Sequence, residues 1–307
     1  MCLAPALAAD FPQRAVRFVV GYAPGGGADI LARVIARELS TRWQQPVVVE
    51  NRPGGGGTIA ANLVAHAAAD GYTMLLITTN HAVPSQENRD PGYHPLKSFA
   101  PVTEVAYIPS ALLVAASVPV ASVREMIVFA RGRPGQLNFG STGTASAQFM
   151  DMQMLMQRAG IKMTNVTYKG ASPILVALLG NEIQFSLQPI TAFLETIKNG
   201  KLKALAVSGR VRAPLLPGVP TFLESGGLDG FEGSANWYGV LMPAHTPGGV
   251  VRRLHDDIVA AVKSSEVQRL LSEQAYVTVA GTPDEFARRI ANETARWSSL
   301  SQGMEVR

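Results

Sequence analysis

The stretch "VRFVVGYAPGGGADILARVIARELSTRW", residues Val16 to Trp43, joins an apolar run to a glycine cluster and then to an amphipathic segment. Ile30, Leu31, Val34, Ile35 and Leu39 recur at helical spacing. The stretch therefore reads as a strand from Arg17 to Gly21, a glycine loop, and a helix from Ala28 to Arg42. Free backbone N–H groups collect where such a loop opens a helix, and the helix dipole adds about half a positive charge there. That is the chemistry of an anion grip. Asp29, beside the glycines of "APGGGAD", argues against a phosphate. Two roles stay open for it: capping the free N–H groups of its own helix, or meeting a ligand hydroxyl, an ammonium group or a bridging water.

The same grammar recurs along the chain. Strand Pro46 to Glu50, "NRPGGGG", a helix from Thr58 to Ala69 and strand Thr73 to Thr79 follow. After a less regular section, Asn80 to Pro109, strand Ala111 to Ala116 leads to a helix opened by Ser122 with Glu125 at capping-box spacing. Strand Leu137 to Phe139 meets "GSTGTAS" and a helix to Gly160, and strand Thr164 to Tyr168 meets "YKGAS" and a helix to Leu179. Strand Ile183 to Leu187, a helix near Ala192 to Lys198 and strand Ala204 to Ser208 precede the proline-rich loop "GRVRAPLLPGVPTF". The end returns to the earlier style. Strand Trp237 to Met242, helices from Pro247 to Ser264 and on to Gln274, strand Tyr276 to Ala280, and a helix begun by Thr282, Pro283, Asp284 and Glu285 complete it.

Apolar strands alternating with helices predict an α/β protein with a mainly parallel sheet in each of two lobes. Lobe 1 takes residues 10–105 and 236–307, and lobe 2 takes 106–235. The chain crossings fall near Pro101 to Pro109 and Gly230 to Ala235, with a ligand cleft between the lobes at the carboxyl ends of the strands.

Composition narrows the function. Of 307 residues, 47% are hydrophobic and only 16% charged, which fits a well-packed globular protein. The net charge is +4, yet Lys and Arg are scattered and no aromatic residues interleave with a basic stripe, so nucleic acid is not a partner. Cys2 is the only cysteine, which rules out an intrachain disulfide and a cysteine metal site. The opening "MCLAPALAADFP" carries Ala6-Leu7-Ala8, the A-x-A pattern of a signal-peptidase cut, so residues 1–9 read as the remainder of a signal peptide. Elsewhere no apolar run reaches the roughly 18 residues of a membrane span.

No reaction apparatus is legible. "GSTGT" is not G-x-S-x-G, no G-K-[ST] follows the glycines, and His66, His81, His94, His245 and His255 show no metal spacing. A Rossmann reading has Glu50 at the right distance but lacks the third glycine, with Ile30 in its place. No cofactor is expected. His81 follows a strand end and serves either binding or loop structure, and Trp237 serves either the core or a cleft wall.

The ordered series "VVGYAPGGGADILAR", "VVVENRPGGGGTIAA", "ADGYTMLL", "SFAPVTEVA", "GQLNFGSTGTAS", "VTYKGASPILVALLGNEI", "IKNGKLKALAVSG", "LPGVPTFLESG" and "WYGVLMPAHTP" resembles the substrate-binding proteins of tripartite tricarboxylate transporters, the Bug family. The likeness runs from about Phe11 to the C-terminus. It implies a type II periplasmic-binding-protein-like clamshell that is not an enzyme. Such a protein closes on a small organic acid (a di- or tricarboxylate or an aromatic carboxylate) and delivers it to membrane permease subunits from the periplasm, as a monomer. By the family pattern Pro24, Gly25, Gly26, Asp29, Thr79, His81, Ser141, Thr144 and Ala171 face the ligand, and Tyr22, Gln188 and Trp237 complete the candidate set. One departure stands out: many relatives place an aspartate after the strand that begins at Ile183, where "IQFSLQP" has Gln184 and Gln188. That favours a ligand hydroxyl, carbonyl or amide over an ammonium group. The rival readings are a cytosolic Rossmann-like nucleotide-dependent enzyme and a periplasmic ligand sensor.

Overall fold

The computed structural model describes residues 11–82, 91–143 and 146–303, with side chains through 298. The signal-peptide segment and Thr144 lie outside the described residues. The chain divides into two compact units, one comprising the chain up to Tyr107 together with Trp237–Gly303, the other Ile108–Asn236.

In the first unit β1 (Val16–Val20) pairs in parallel with β2 (Val47–Asn51) and β3 (Thr73–Thr78). β4 (Phe99–Ile108), β10 (Asn236–Pro243) and β11 (Val277–Thr278) complete a six-stranded sheet ordered β11-β4-β10-β3-β1-β2. β10 runs antiparallel to β3, and β11 antiparallel to β4. The helices are α1 (Gly27–Trp43), α2 (Thr58–Ala65), α8 (Gly248–Val262), α9 (Ser265–Glu273) and α10 (Pro283–Gly303). Every residue of β3 is buried, as expected for a central strand covered on both faces. Trp237 meets Phe286 edge-on, with ring centroids 5.7 Å apart. Gly239 is needed beside them, because a Cβ there would lie 2.0 Å from the Phe286 ring.

The second unit holds a five-stranded sheet ordered β7-β6-β8-β5-β9. Its strands are β5 (Ser110–Ala115), β6 (Asn138–Ser141), β7 (Thr164–Thr167), β8 (Phe185–Pro189) and β9 (Leu202–Val207). β6 is parallel to β7 and β8, whereas β5 is antiparallel to β8 and β9. Its helices are α3 (Val123–Arg131), α4 (Ala147–Ala159), α5 (Ala171–Leu179), α6 (Leu194–Lys198) and α7 (Phe222–Ser225). Ser122 caps α3 as expected, accepting a hydrogen bond from the Glu125 N–H, while the Glu125 carboxylate accepts from the Ala121 N–H. The short α7 and its Thr221/Glu224 capping box fall where the sequence reads only as loop.

Two expectations need correction. The sheets are mixed: antiparallel pairs β10–β3 and β11–β4 in the first, and β5–β8 and β5–β9 in the second, stand beside the parallel ones. And the section Asn80 to Pro109 is not irregular throughout, since β4 supplies ten residues of strand. Pro101 and Glu104 disguise its apolar pattern. Pro101 is tolerated because β11 pairs only at Tyr107 and Ala106, leaving the start of β4 without a partner on that side. The two transitions between units therefore fall within β4 to β5 and within β10, not in loops.

Candidate functional site

The candidate residues follow the carboxyl ends of parallel strands, where open α/β sheets present ligand-binding loops. In the first unit β1 ends at Val20, and the chain turns through Gly21 to Gly26 into α1. Gly21 is required by packing, since a Cβ there would lie 2.6 Å from the Gly57 Cα in the loop after β2. Pro24, Gly25 and Gly26 are exposed, and Gly25 has a φ of 82°. Gly26 occupies the N-cap position of α1 and offers no side-chain acceptor, so the N–H groups of the first turn lack helical partners.

Asp29 does not point away from this loop. Its carboxylate, only 2% exposed, accepts hydrogen bonds from the Gly25 N–H, Arg33 Nε and Asn51 Nδ2, all at 2.9 Å. Burial alone pushes its pKa up, but the Arg33, Gly25 and Asn51 hydrogen bonds outweigh that and hold it below the ordinary carboxylate value. Of the two roles left open, the capping and anchoring one is occupied in this geometry. The Arg33 guanidinium also balances the charge that argued against an anion.

Asn51, which closes β2, donates a further hydrogen bond to the Tyr22 carbonyl at 3.0 Å. Tyr22 donates its hydroxyl hydrogen to the Gly56 carbonyl at 2.9 Å, so Thr78 must be the donor in the 2.5 Å contact between the two hydroxyls. Thr79 is buried and accepts the Trp237 N–H at 3.0 Å. A cavity of about 20 Å³ lies among Tyr22, Gly57, Thr78, Asn80, His81 and Tyr93, large enough for a single water.

His81 is 8% exposed, stacks on Tyr93 and meets Phe99 edge-on. Burial lowers its pKa to about 4, against a smaller upward pull from the Pro95 carbonyl that its Nε2 contacts at 2.8 Å. The ring is thus neutral, with the hydrogen on Nε2 donated to Pro95. Trp237 is wholly buried in the core of the first unit, and its indole Nε1 has no partner.

In the second unit β6 ends at Ser141, which is fully buried, and its Oγ accepts the Gly143 N–H at 3.2 Å. Ser146 caps α4, accepting from the Phe149 N–H at 3.2 Å and donating to the Gly143 carbonyl at 2.7 Å. Thr142 is exposed between these anchors. Because β6 and β7 are parallel, with Ser141 opposite Thr167, the following loop brings Gly170 and Ala171 to the same edge, and Ala171 opens α5. Gln188 is 2% exposed and donates to the Ser186 Oγ at 3.1 Å, which in turn donates to the Gly140 carbonyl at 2.7 Å. Gln184 serves the opposite end of these strands, accepting from the Asn138 N–H at 2.9 Å and donating to the Asn181 carbonyl.

Arg33, Asn51, Ser146 and Ser186 support these loops and were not among the sequence candidates. The spacing of Asp29 and Arg33, one helical turn apart, was a readable signal for the first. The others depend on strand pairing. Among the described residues no group of three or more acidic, histidine or cysteine side chains is placed to hold a metal, and no helix is long and apolar enough to cross a membrane.

Known proteins match this arrangement. The model of the tripartite tricarboxylate transporter family receptor, TctC, matches residues 31–306. The protein BugT of Bordetella pertussis is 33% identical, covering 97% of this chain and 91% of its own. An R. palustris protein solved with adipate has a TM-score of 0.81 at 34% identity, covering 95% of this chain and 97% of that one. MatC from Rhodopseudomonas palustris, solved with bound malate, has a TM-score of 0.77 at 30% identity, covering 94% and 99%. With likeness of this extent, the chain belongs to the tripartite tricarboxylate transporter receptor family, whose members are two-lobed solute-binding proteins and not enzymes.

Proposed function

We propose that this protein captures a small organic carboxylate in the periplasm and delivers it, as a monomer, to the permease subunits of a tripartite tricarboxylate-type transporter. The ligand's acid group is held chiefly by main-chain N–H groups, foremost those of the first turn of α1 at Gly26, Gly27 and Ala28. Tyr22, Pro24, Gly25, Thr79, His81, Ser141, Thr144, Ala171, Gln188 and Trp237 shape or support that grip, and Asp29 anchors it.

The single observation that carries this reading is the Asp29 network. A buried carboxylate, neutralised by Arg33, ties down an exposed glycine loop at Gly25, while the N-cap residue Gly26 gives the first turn of α1 no side-chain cap. Neutral donors held in place lose little on reorganising around an anion, and they gain strength once water is excluded. The relatives solved with adipate and malate point to the same ligand class.

Thermal-shift screening with adipate, malate, citrate, benzoate and nicotinamide cofactors tests it. Stabilisation by one or more of the acids and by no cofactor is expected, and cofactor-only stabilisation overturns the reading. Gly26→Val sharpens the test. A Cβ at Gly26 meets only the Ala23 carbonyl, at 3.5 Å, and φ is −79°, so the fold tolerates the change. Calorimetry should show affinity for the stabilising acid falling by roughly a hundredfold, about 2.7 kcal/mol, with an unchanged melting temperature. Affinity that survives removes this loop from the site. Delivery is tested by uptake of the acid in cells carrying the permease, and location by recovery in an osmotic-shock fraction.

A further inference from the structure

A second cavity, of about 550 Å³, lies on the first unit, where β4 meets the chain between β11 and α10. Glu104 and Phe286 line it together with Arg288, Arg289 and Asn292. Glu104 is 8% exposed, and its carboxylate has no hydrogen bond or ion pair among the described residues. Glu285, on the same wall, is already engaged by the Thr282 N–H at 2.8 Å and the Thr282 hydroxyl at 2.9 Å. Arg289 is less well placed. Its Nε is buried without a hydrogen-bond partner and stands 3.7 Å from the Glu293 carboxylate, while Glu293 Oε2 and Trp297 Nε1, one and two turns further along α10, are also unpartnered.

Buried polar groups in folded proteins are nearly always satisfied, so such a group in a cavity wall calls for a partner. The charged groups here carry both signs. A simple anion would suit the guanidinium groups and oppose Glu104; a simple cation would do the reverse. We propose that this cavity is a second ligand site for a small zwitterion of the amino acid type, with its carboxylate on Arg288, Arg289 and Asn292 and its ammonium group on Glu104.

The electrostatic surroundings agree. Burial pushes the Glu104 carboxyl up, Arg289 pulls it down, and Glu293 pushes it up again. The groups facing it are Arg289 and Glu293 from α10 and Tyr107 from β4, with Arg288 and Glu285 on the cavity wall. A bound ammonium group favours the ionised carboxylate.

Titration calorimetry of the full chain with β-alanine tests the proposal. Saturable binding is expected, and propionate and ethylamine, each lacking one charge, should bind at least roughly tenfold more weakly. Glu104→Gln, Arg289→Gln and the surface changes Arg288→Gln and Asn292→Ala should each weaken β-alanine binding, while Gly26→Val should leave it unchanged. The two surface variants decide the matter if either buried variant fails to show a wild-type melting transition. No saturable heat with the native protein, undiminished affinity in the folded variants, or loss of β-alanine binding in Gly26→Val each overturns the proposal. The last outcome assigns the amino acid to the glycine loop.

Discussion

The loop before α1 in the first unit is held by a carboxylate, whereas the loop before α4 in the second is held by hydroxyls. Asp29 gathers Gly25, Arg33 and Asn51, and its charge is balanced within the network. Ser141 and Ser146 gather Gly143 and Phe149, and the Gln188–Ser186–Gly140 relay braces the strand beneath them. Both arrangements fix a turn at a helix start. They differ in what disturbs them. The first unit carries titratable groups, Asp29 and His81, in or beside its candidate loops, while the described groups that shape the second loop carry none. Acid should therefore loosen the first unit's loops before it touches the second's.

The largest effect expected from this difference comes from His81. The native ring stays neutral down to about pH 4, whereas the unfolded chain takes up a proton near the ordinary value of 6.5. Below that value the unfolded state binds more protons, so stability falls as pH drops from 6.5 towards 4, by at most about 3 kcal/mol. Urea unfolding at stepped pH measures the slope. His81→Phe keeps an aromatic ring against Tyr93 and Phe99 and should flatten the curve in that window, whatever it does to stability at pH 8. An unchanged slope would mean that His81 is solvated.

Removing the Asp29 carboxylate comes next. Asp29→Ala strands the Gly25 N–H and Asn51 and frees Arg33, at a cost of roughly 2 to 3 kcal/mol, with a matching loss of affinity for the organic acid. Because its pKa lies below the ordinary 3.8, Asp29 contributes stability above that value that is lost as pH falls through its native pKa. This window lies below that of His81, so the two contributions are separable in one titration. Replacement that leaves the melting temperature and the affinity intact would mean that the glycine loop holds itself.

The smallest effect belongs to the second unit. Ser146→Ala removes the α4 cap and should cost about 1 kcal/mol, with no pH dependence between 4 and 8. Amide exchange along α4 locates the loss. A pH-dependent cost there would break the contrast between the two loops.

The sequence revealed this architecture unevenly. Strands such as β1 and β3 were legible because their apolar runs are bounded by glycine and turn residues, and helix starts such as those of α3 and α10 because Ser122 and Pro283 mark them. β4 was not, since Pro101, Thr103 and Glu104 interrupt its pattern and its pairing partners lie far along the chain at β10 and β11. Among the candidate residues, positions were easier to read than roles. The loops followed from glycine and hydroxyl clusters after strands. That Asp29 is satisfied by Asn51, and that His81 is enclosed by Tyr93 and Phe99, depends on contacts between elements, which local spacing does not encode. Trp237 is a similar case: its neighbour Phe286 lies almost fifty residues away, so nothing nearby indicated that the ring is fully buried.

The account's central claim is that main-chain N–H groups hold an acid ligand, and backbone amide NMR tests it most directly. A ¹⁵N-labelled sample is titrated with the organic acid that stabilises it most. Downfield proton shifts concentrated at Gly26, Gly27 and Ala28, saturating with a single affinity, are expected. Saturable binding that leaves these amides unmoved while arginine or lysine side-chain signals shift would contradict it.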